Sequence, residues 1–236
     1  MLPASTNDLR ELARQDPPAW SRERLLEFDE ERHAETIPFT FSETWCAQAS
    51  INVFEVVGTR NSSYFGWSWL RLLEEGKRMK RNLTLYRQNP AYYLQTAERQ
   101  PSMGFLTYDG RRLFVGGDGN HRTCIARFAF DLDGRTHLHA VTLQHCEVDW
   151  QLMKAFQGMK HTIVRLRLPV SVAASRSACG REDAAGWKRD RFDPFILLTE
   201  HRARGTERRL GLDAAEEWLK HYSQPWLARW FRRSPR

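Results

Sequence analysis

Cysteine is scarce and scattered: the four in 236 residues are Cys46, Cys124, Cys146 and Cys179, with no C-x-x-C pair. That spacing argues against a zinc ribbon or a disulfide framework and suits a reducing compartment. Long apolar runs are missing too. No stretch of about twenty apolar residues exists to read as a membrane span. Where a signal peptide would have its apolar core, the chain has Asp8, Arg10 and Glu11, so a cytoplasmic protein is expected. There is no internal repeat. Acidic residues are in deficit, 29 against 36 Lys and Arg, for a formal charge of +7. A basic surface favours acidic partners, nucleic acid first. What the chain does have is 41% hydrophobic and 12% aromatic residues, enough for a real core. The length fits one sizeable domain, or one domain with additions.

The most informative stretch is Val115-Gly116-Gly117-Asp118-Gly119-Asn120-His121-Arg122-Thr123. The apolar residues Leu113, Phe114 and Val115 before it read as a strand. Cys124, Ile125, Phe128 and Ala129 after it recur at helical spacing. Strand, glycine turn and helix start therefore follow one another. Glycine lets the backbone take φ > 0 and lets a ligand approach. The first N–H groups of the helix lack internal partners, and with the helix dipole they favour an anion, above all phosphate. Gly116, Gly117, Gly119, Asn120, Arg122 and Thr123 are the candidate phosphate residues. Arg122 offers a planar fork. His121 can move a proton near neutral pH, and Asp118 can cap the helix or hold Mg²⁺ through a nucleotide.

Gly119-Asn120-His121-Arg122 after a strand resembles the Gly-Glu-Arg-Arg box of ParB-type proteins and the Gly-Cys-His-Arg box of sulfiredoxin. The resemblance covers roughly residues 51–150, with residues 51–57 similar to the family's first strand. Arg60 lies just after that strand, where ParB proteins carry a second basic box. Asn120 stands where sulfiredoxin has its reactive cysteine, so that redox chemistry is not implied, and no helix-turn-helix follows the box. Within the superfamily the chain most resembles the Osa-type plasmid fertility-inhibition proteins. The resemblance implies an α+β fold, a mixed sheet with surrounding helices. It implies ATP or another nucleotide as ligand, with Mg²⁺ if the site is catalytic, and activity as an ATPase and metal-dependent DNase. It implies a bacterial cytoplasmic location near the inner membrane, with DNA and type IV secretion components as partners. Asp118, His121 and Glu55 are the groups available to activate water. Two other readings stand beside it. One is a non-catalytic module whose nucleotide switches its grip on DNA or a secretion component. The other is a Fic-type AMP transferase, whose motif also contains Asp-Gly-Asn-x-Arg. That motif places its histidine base four residues before Asp118, where this chain has Phe114, and the segment there reads as β.

Around this centre the chain divides into a helical arm (1–36), a core (37–150) and a C-terminal extension (151–236). In the arm, Leu9, Leu12 and Ala13 form a short helical face ended by Pro17-Pro18, and Trp20, Leu25, Leu26 and Phe28 predict a second helix. Residues 37–41 alternate weakly as a strand, and residues 51–57, apolar on both faces, predict a central one. Its following loop, 58–63, is a second wall for the pocket. A helix is expected from Phe65 to about Arg81, and another over 83–94 broken near Asn89-Pro90. Lys77, Arg78, Lys80 and Arg81 make a basic run able to neutralise DNA phosphates without reading sequence. Asp109-Gly110 predicts a hairpin turn and residues 131–134 a helix end. Residues 138–148 predict a strand whose parity groups His137, His139 and His145. Only the first two are near enough to share an ion, because His139 to His145 spans about 20 Å of strand. Residues 162–172 predict a strand with Arg165 and Arg167 on its DNA-facing side, 173–191 a loop, and 195–198 a strand. Residues 213–230 predict a helix with an Asp213/Glu216 capping box. Its stripe of Trp218, Tyr222, Trp226 and Trp230 could dock on the domain itself or lie on an acidic membrane surface.

Overall fold

Local chemistry sets the early elements of this computed structural model, which describes residues 9–97, 102–201 and 206–223. Helix α1 (Leu9–Gln15) buries Leu9 and Ala13 and stops before the double proline. The predicted second helix does not form. Pro18 leads into a single 3₁₀ turn, Ala19–Arg22, and the chain then extends as β1 (Leu26–Glu27). Helix α2 (Glu30–Thr36) and a 3₁₀ turn at Ile37–Phe39 precede β2 (Thr40–Asn52), far longer than the weak alternation over 37–41 indicates. The expected strand at 51–57 is a junction instead. The Asn52 side chain accepts the Phe54 N–H at 3.0 Å, a local bond that turns the backbone into a 3₁₀ step at Val53–Glu55. Only then does β3 (Val56–Thr59) begin.

The single helix expected over 65–81 is two. Ser68 caps α3 (Trp69–Glu75) by accepting from the Arg71 N–H, Gly76 ends it, and α4 (Met79–Gln88) follows. Asn89 stops α4 and Pro90–Tyr93 is a 3₁₀ turn. Strands β4 (Gly104–Thr107) and β5 (Leu113–Val115) form the expected antiparallel hairpin, with Gly110 at φ +72°. Helix α5 (Asn120–Asp133) starts after the glycine turn and ends at Gly134, a left-handed C-cap. Strand β6 (His137–Val148) follows as predicted. Ala140 at φ +52° breaks its alternation, so parity does not carry from His137 and His139 to His145.

Asp149 caps α6 (Trp150–Leu166), its carboxylate accepting from the Leu152 N–H at 2.8 Å. This overturns the arginine-faced strand over 162–172: Arg165 lies in the last helical turn, and Arg167 is its left-handed cap at φ +49°. The predicted loop over 173–191 is a long hairpin of β7 (Val170–Ala184) and β8 (Trp187–Glu200) turning at Gly186. Strand β9 (Thr206–Leu210) pairs antiparallel with β8, and α7 (Leu212–Ser223) closes the described chain. Asp213 sits inside the first turn of α7, not before it. Trp226 and Trp230 lie outside the described residues.

The protein is thus α+β with a mixed sheet. Among the described residues no helix is long and apolar enough to cross a membrane. The chain forms two units with interleaved segments. The first comprises Met1–Glu30, Glu43–Cys146 and Glu182–Arg189, and the second comprises the rest. In the first unit the strand order is β1-β3-β5-β4-β6. β1–β3, β3–β5 and β4–β6 are parallel. Helix α5 is buried over nearly its whole length, from Asn120 to Phe130 with only His121 half-exposed, as expected of a helix without a solvent face. Trp69, Leu72 and Leu73 of α3 and Met79 and Leu83 of α4 join the same core. In the second unit α6 and α7 pack closely, Leu219 lying against Gly158, and Ile196, Leu198 and Leu210 are buried on β8 and β9.

Candidate functional site

The glycine turn is held on both sides before it reaches the mouth. Val115 O accepts the Arg60 N–H at 3.0 Å, and the Gly116 N–H donates to Gly104 O at 2.8 Å. Gly116 thereby extends the β4–β5 pairing and is not part of the cleft wall. Gly119 sits at φ +122°, and a side chain there would press on Met103 and Val115. Only glycine takes that conformation without strain. It turns α5 so that its N-terminus opens into a cleft of about 790 Å³. Gly117, Asp118, Gly119, Asn120, His121 and Arg122 form one wall of that cleft.

Asp118 does not cap through the usual N-cap position, which Gly119 holds. One carboxylate oxygen accepts the Gly119 N–H at 2.7 Å, and the other meets Arg122 Nη2 at 2.8 Å. The Arg122 side chain is 10% exposed and that of Asp118 75%. Arg122 Nη1 donates to the Tyr92 hydroxyl at 2.7 Å, which fixes the guanidinium from the far side. Asn120 is buried, and among the described residues its Oδ1 has no hydrogen-bond partner. Thr123 is turned away: it is fully buried, its hydroxyl has no partner among the described residues and it does not line the cleft.

His121 is pinned by its neighbours. Its Nε2 lies 3.0 Å from the Tyr64 hydroxyl and 3.4 Å from the Arg78 backbone N–H. An N–H pointing at Nε2 requires a lone pair there, so the ring proton sits on Nδ1. Burial lowers the His121 pKa, Arg78 and Arg122 lower it further, and Asp118 opposes them. Gly76 makes room for the ring: a Cβ there would stand 2.9 Å from His121 Cδ2.

The facing wall comes from α4 and the turn before it. Lys77, Arg78 and Arg81 line the cleft, whereas Lys80 does not. Tyr64, Trp67, Tyr92 and Tyr93 supply aromatic surface. Burial holds the Tyr93 hydroxyl far above the usual phenol range, so it stays protonated. Four cations face two carboxylates, Asp118 and Glu75, and Glu75 is paired with Arg71 at 2.9 Å. The cleft therefore favours an anion with a flat apolar part.

Several residues singled out in the sequence lie elsewhere. Of the 58–63 loop, Asn61 and Ser63 reach the cleft. Arg60 does not: its guanidinium binds Glu30 through two bonds, 2.6 and 2.9 Å, beside the Phe28 ring. Glu55 is exposed on the 3₁₀ turn before β3 and does not line the cleft. Arg165 and Arg167 belong to the second unit. His137 and His139 stack at 6.3 Å, with Nδ1 atoms bonded to Thr136 and Ser50 hydroxyls. Among the described residues no group of three or more His, Cys, Asp or Glu is placed to hold a metal ion. Mg²⁺ usually takes one or two carboxylates plus substrate phosphates. Asp118 can supply one, so these residues fit a Mg²⁺ that arrives with a nucleotide and not a resident ion. The aromatic wall is the part of the cleft that the sequence pattern does not reveal. Tyr64 directly follows the polar loop, a legible hint; Tyr92, 30 residues from Arg122, gives none.

Comparison with protein-family models, curated proteins and solved structures gives no match for this chain.

Proposed function

We propose that the chain is a nucleotide-binding protein of the ParB/sulfiredoxin type, taking a nucleoside phosphate in the cleft at the N-terminus of α5. One observation carries this reading: helix N-terminus, Arg122, a basic wall of Lys77, Arg78 and Arg81, and four aromatic side chains surround a single space. The phosphates would lie on the turn and Arg122, with the base against aromatic surface. Binding is better supported than hydrolysis. His121, the obvious base, has its acceptor nitrogen already engaged by Tyr64 and Arg78, and Glu55 lies outside the cleft. A strand and not a helix leads into the turn, which speaks against a Fic-type AMP transferase.

In the cell we propose a plasmid-encoded inhibitor of conjugative DNA transfer, bacterial and cytoplasmic. Its basic cleft wall would meet DNA without sequence preference, near a type IV secretion channel. The motif's resemblance to Osa-type proteins and the net charge of +7 support this role. Titration calorimetry with ATP and other nucleotides, with and without Mg²⁺, tests the site. Arg122→Ala should weaken binding by about 1.5–3 kcal/mol, the scale of hydrogen bonds to a charged group; equal affinities refute it. A mating assay tests the role: donors expressing the protein should yield fewer transconjugants, and undiminished transfer of several plasmid types refutes it. Equal inhibition by His121→Ala and Asp118→Ala variants would show that no catalysis by these groups is needed.

A further inference from the structure

We infer that Asp118 is the resident anion of the phosphate site, and that an incoming phosphate binds by displacing it. This inference rests on the nucleotide-binding reading. The two oxygens of Asp118 occupy two donors that the turn offers to an anion: the Gly119 N–H at 2.7 Å and Arg122 Nη2 at 2.8 Å. A carboxylate bridging a backbone N–H and a guanidinium makes the contacts that two phosphate oxygens would make. Phosphate and Asp118 therefore compete for the same hydrogens.

The burial of the two partners decides which one moves. Arg122 is 10% exposed at its side chain and is tied to Tyr92 at 2.7 Å, so it stays. Asp118 is 75% exposed at its side chain, so rotation about its own bonds carries the carboxylate to water at little cost. Asn120 gives an independent sign that the mouth is built for a ligand. It lines the cleft, is 5% exposed, and among the described residues its Oδ1 has no partner; that acceptor calls for an N–H or O–H donor on the ligand, beside the phosphate and not on it. Buried polar atoms are rarely left unpaired, and those that are tend to mark function or a missing partner. The carboxylate thus screens the site against weak anions. A ligand must bring more charge or more contacts than Asp118 gives up, which selects di- and triphosphates over singly charged anions.

The test is titration of inorganic pyrophosphate at low salt with chelator present, so that no metal links it to Asp118. Wild type is compared with Asp118→Asn, Asp118→Ala and Arg122→Ala, and thermal unfolding checks the fold of each. Asp118→Asn should bind about fivefold tighter, the upper range of an exposed ion pair (about 1 kcal/mol). Asp118→Ala, which frees both donors, should gain at least as much. Unchanged or weaker binding in both Asp118 variants, with loss in Arg122→Ala, overturns the displacement idea and leaves the phosphate site standing. Wild-type affinity in Arg122→Ala, or silence in all four proteins, overturns both. Binding seen only in the Asp118 variants supports displacement.

Discussion

Arg127 is the most exacting test of the core behind the site. It lies on α5, 1% exposed, in the interior where arginine is rare. Its guanidinium carbon is 4.2 Å from the Trp69 ring, 4.7 Å from Trp20 and 5.5 Å from Phe54. Nη1 donates to Val56 O at 2.5 Å, where the β3–β5 register shifts, and Nη2 is 3.9 Å from Glu23. Burial lowers its pKa to about 10, with Glu23 opposing, so it remains charged at neutral pH. Opposing terms act here. Desolvation destabilises the cation; the desolvated cation–π contacts contribute about 2 kcal/mol and the charged hydrogen bond about 1.5–3 kcal/mol. Arg127→Ala removes the favourable terms, leaves a void and takes a charged donor from the Val56 carbonyl, so a loss of about 3–5 kcal/mol is expected. Arg127→Met keeps most of the volume and also relieves the desolvation, so about 1–3 kcal/mol is expected, mainly from the lost charged hydrogen bond. Urea unfolding followed by circular dichroism measures both, read as shifts in midpoint at constant slope. A methionine variant as stable as wild type would show that the cage does not hold the cation, and an alanine loss below about 1 kcal/mol would refute the whole account.

Gly76→Ala should destabilise by about 1–3 kcal/mol, because the new Cβ would lie 2.6 Å from Leu72 O and 2.9 Å from His121 Cδ2. Gly104→Ala, which meets nothing within 4 Å, is the control, and equal melting temperatures for the two variants contradict the contact. His121 makes stability fall with acid. Its folded pKa lies below its unfolded one, so its contribution is complete above the ordinary histidine value near 6.5 and is lost progressively as pH falls from there through the lower folded value. His121→Gln should flatten that part of the stability–pH curve, and a curve of unchanged slope refutes the assignment. If the cleft takes DNA, log affinity should fall with log salt with a slope of several units. Lys77→Ala or Arg81→Ala should each cut that slope by nearly one unit and Lys80→Ala by less, since Lys80 does not line the cleft; a flat response excludes phosphate contacts.

The turn at the centre is legible because its signals are local. Strand, glycines, helix start and the Gly134 stop each depend on a few adjacent residues. The errors arise where tertiary or side-chain effects compete with pattern. Alternation from Val164 to Leu168 imitates a strand, yet Val164 is 77% exposed and the residues end a helix that Asp149 caps. Leu152, Ala155 and Met159, buried at spacings of three and four, carry the helical period that the alternation at its end obscures. Residues 173–191 of the β7–β8 hairpin pass for a loop because none of them is buried and they carry no apolar alternation. Strand β1, two residues long, leaves no periodic trace. In the site, the box and the basic run are visible in the sequence, but their facing one another across a cleft depends on how Gly76 separates α3 from α4. Arg60 looks free in sequence because Glu30, its partner, lies 30 positions away.

The pairing of β5 has a kinetic consequence. This three-residue strand feeds the glycine turn, and it lies between β3, its parallel partner more than fifty residues upstream, and β4, its hairpin partner. Helix α5 and the β4–β5 hairpin depend on nearby contacts, but the β3–β5 ladder must first close a long loop. The Arg60–Val115 bond that steadies the turn belongs to that late closure. A refolding chain should therefore regain much of its helix before the turn is held in place, and an interruption between β3 and β5 would leave the motif intact in sequence without the ladder that positions it.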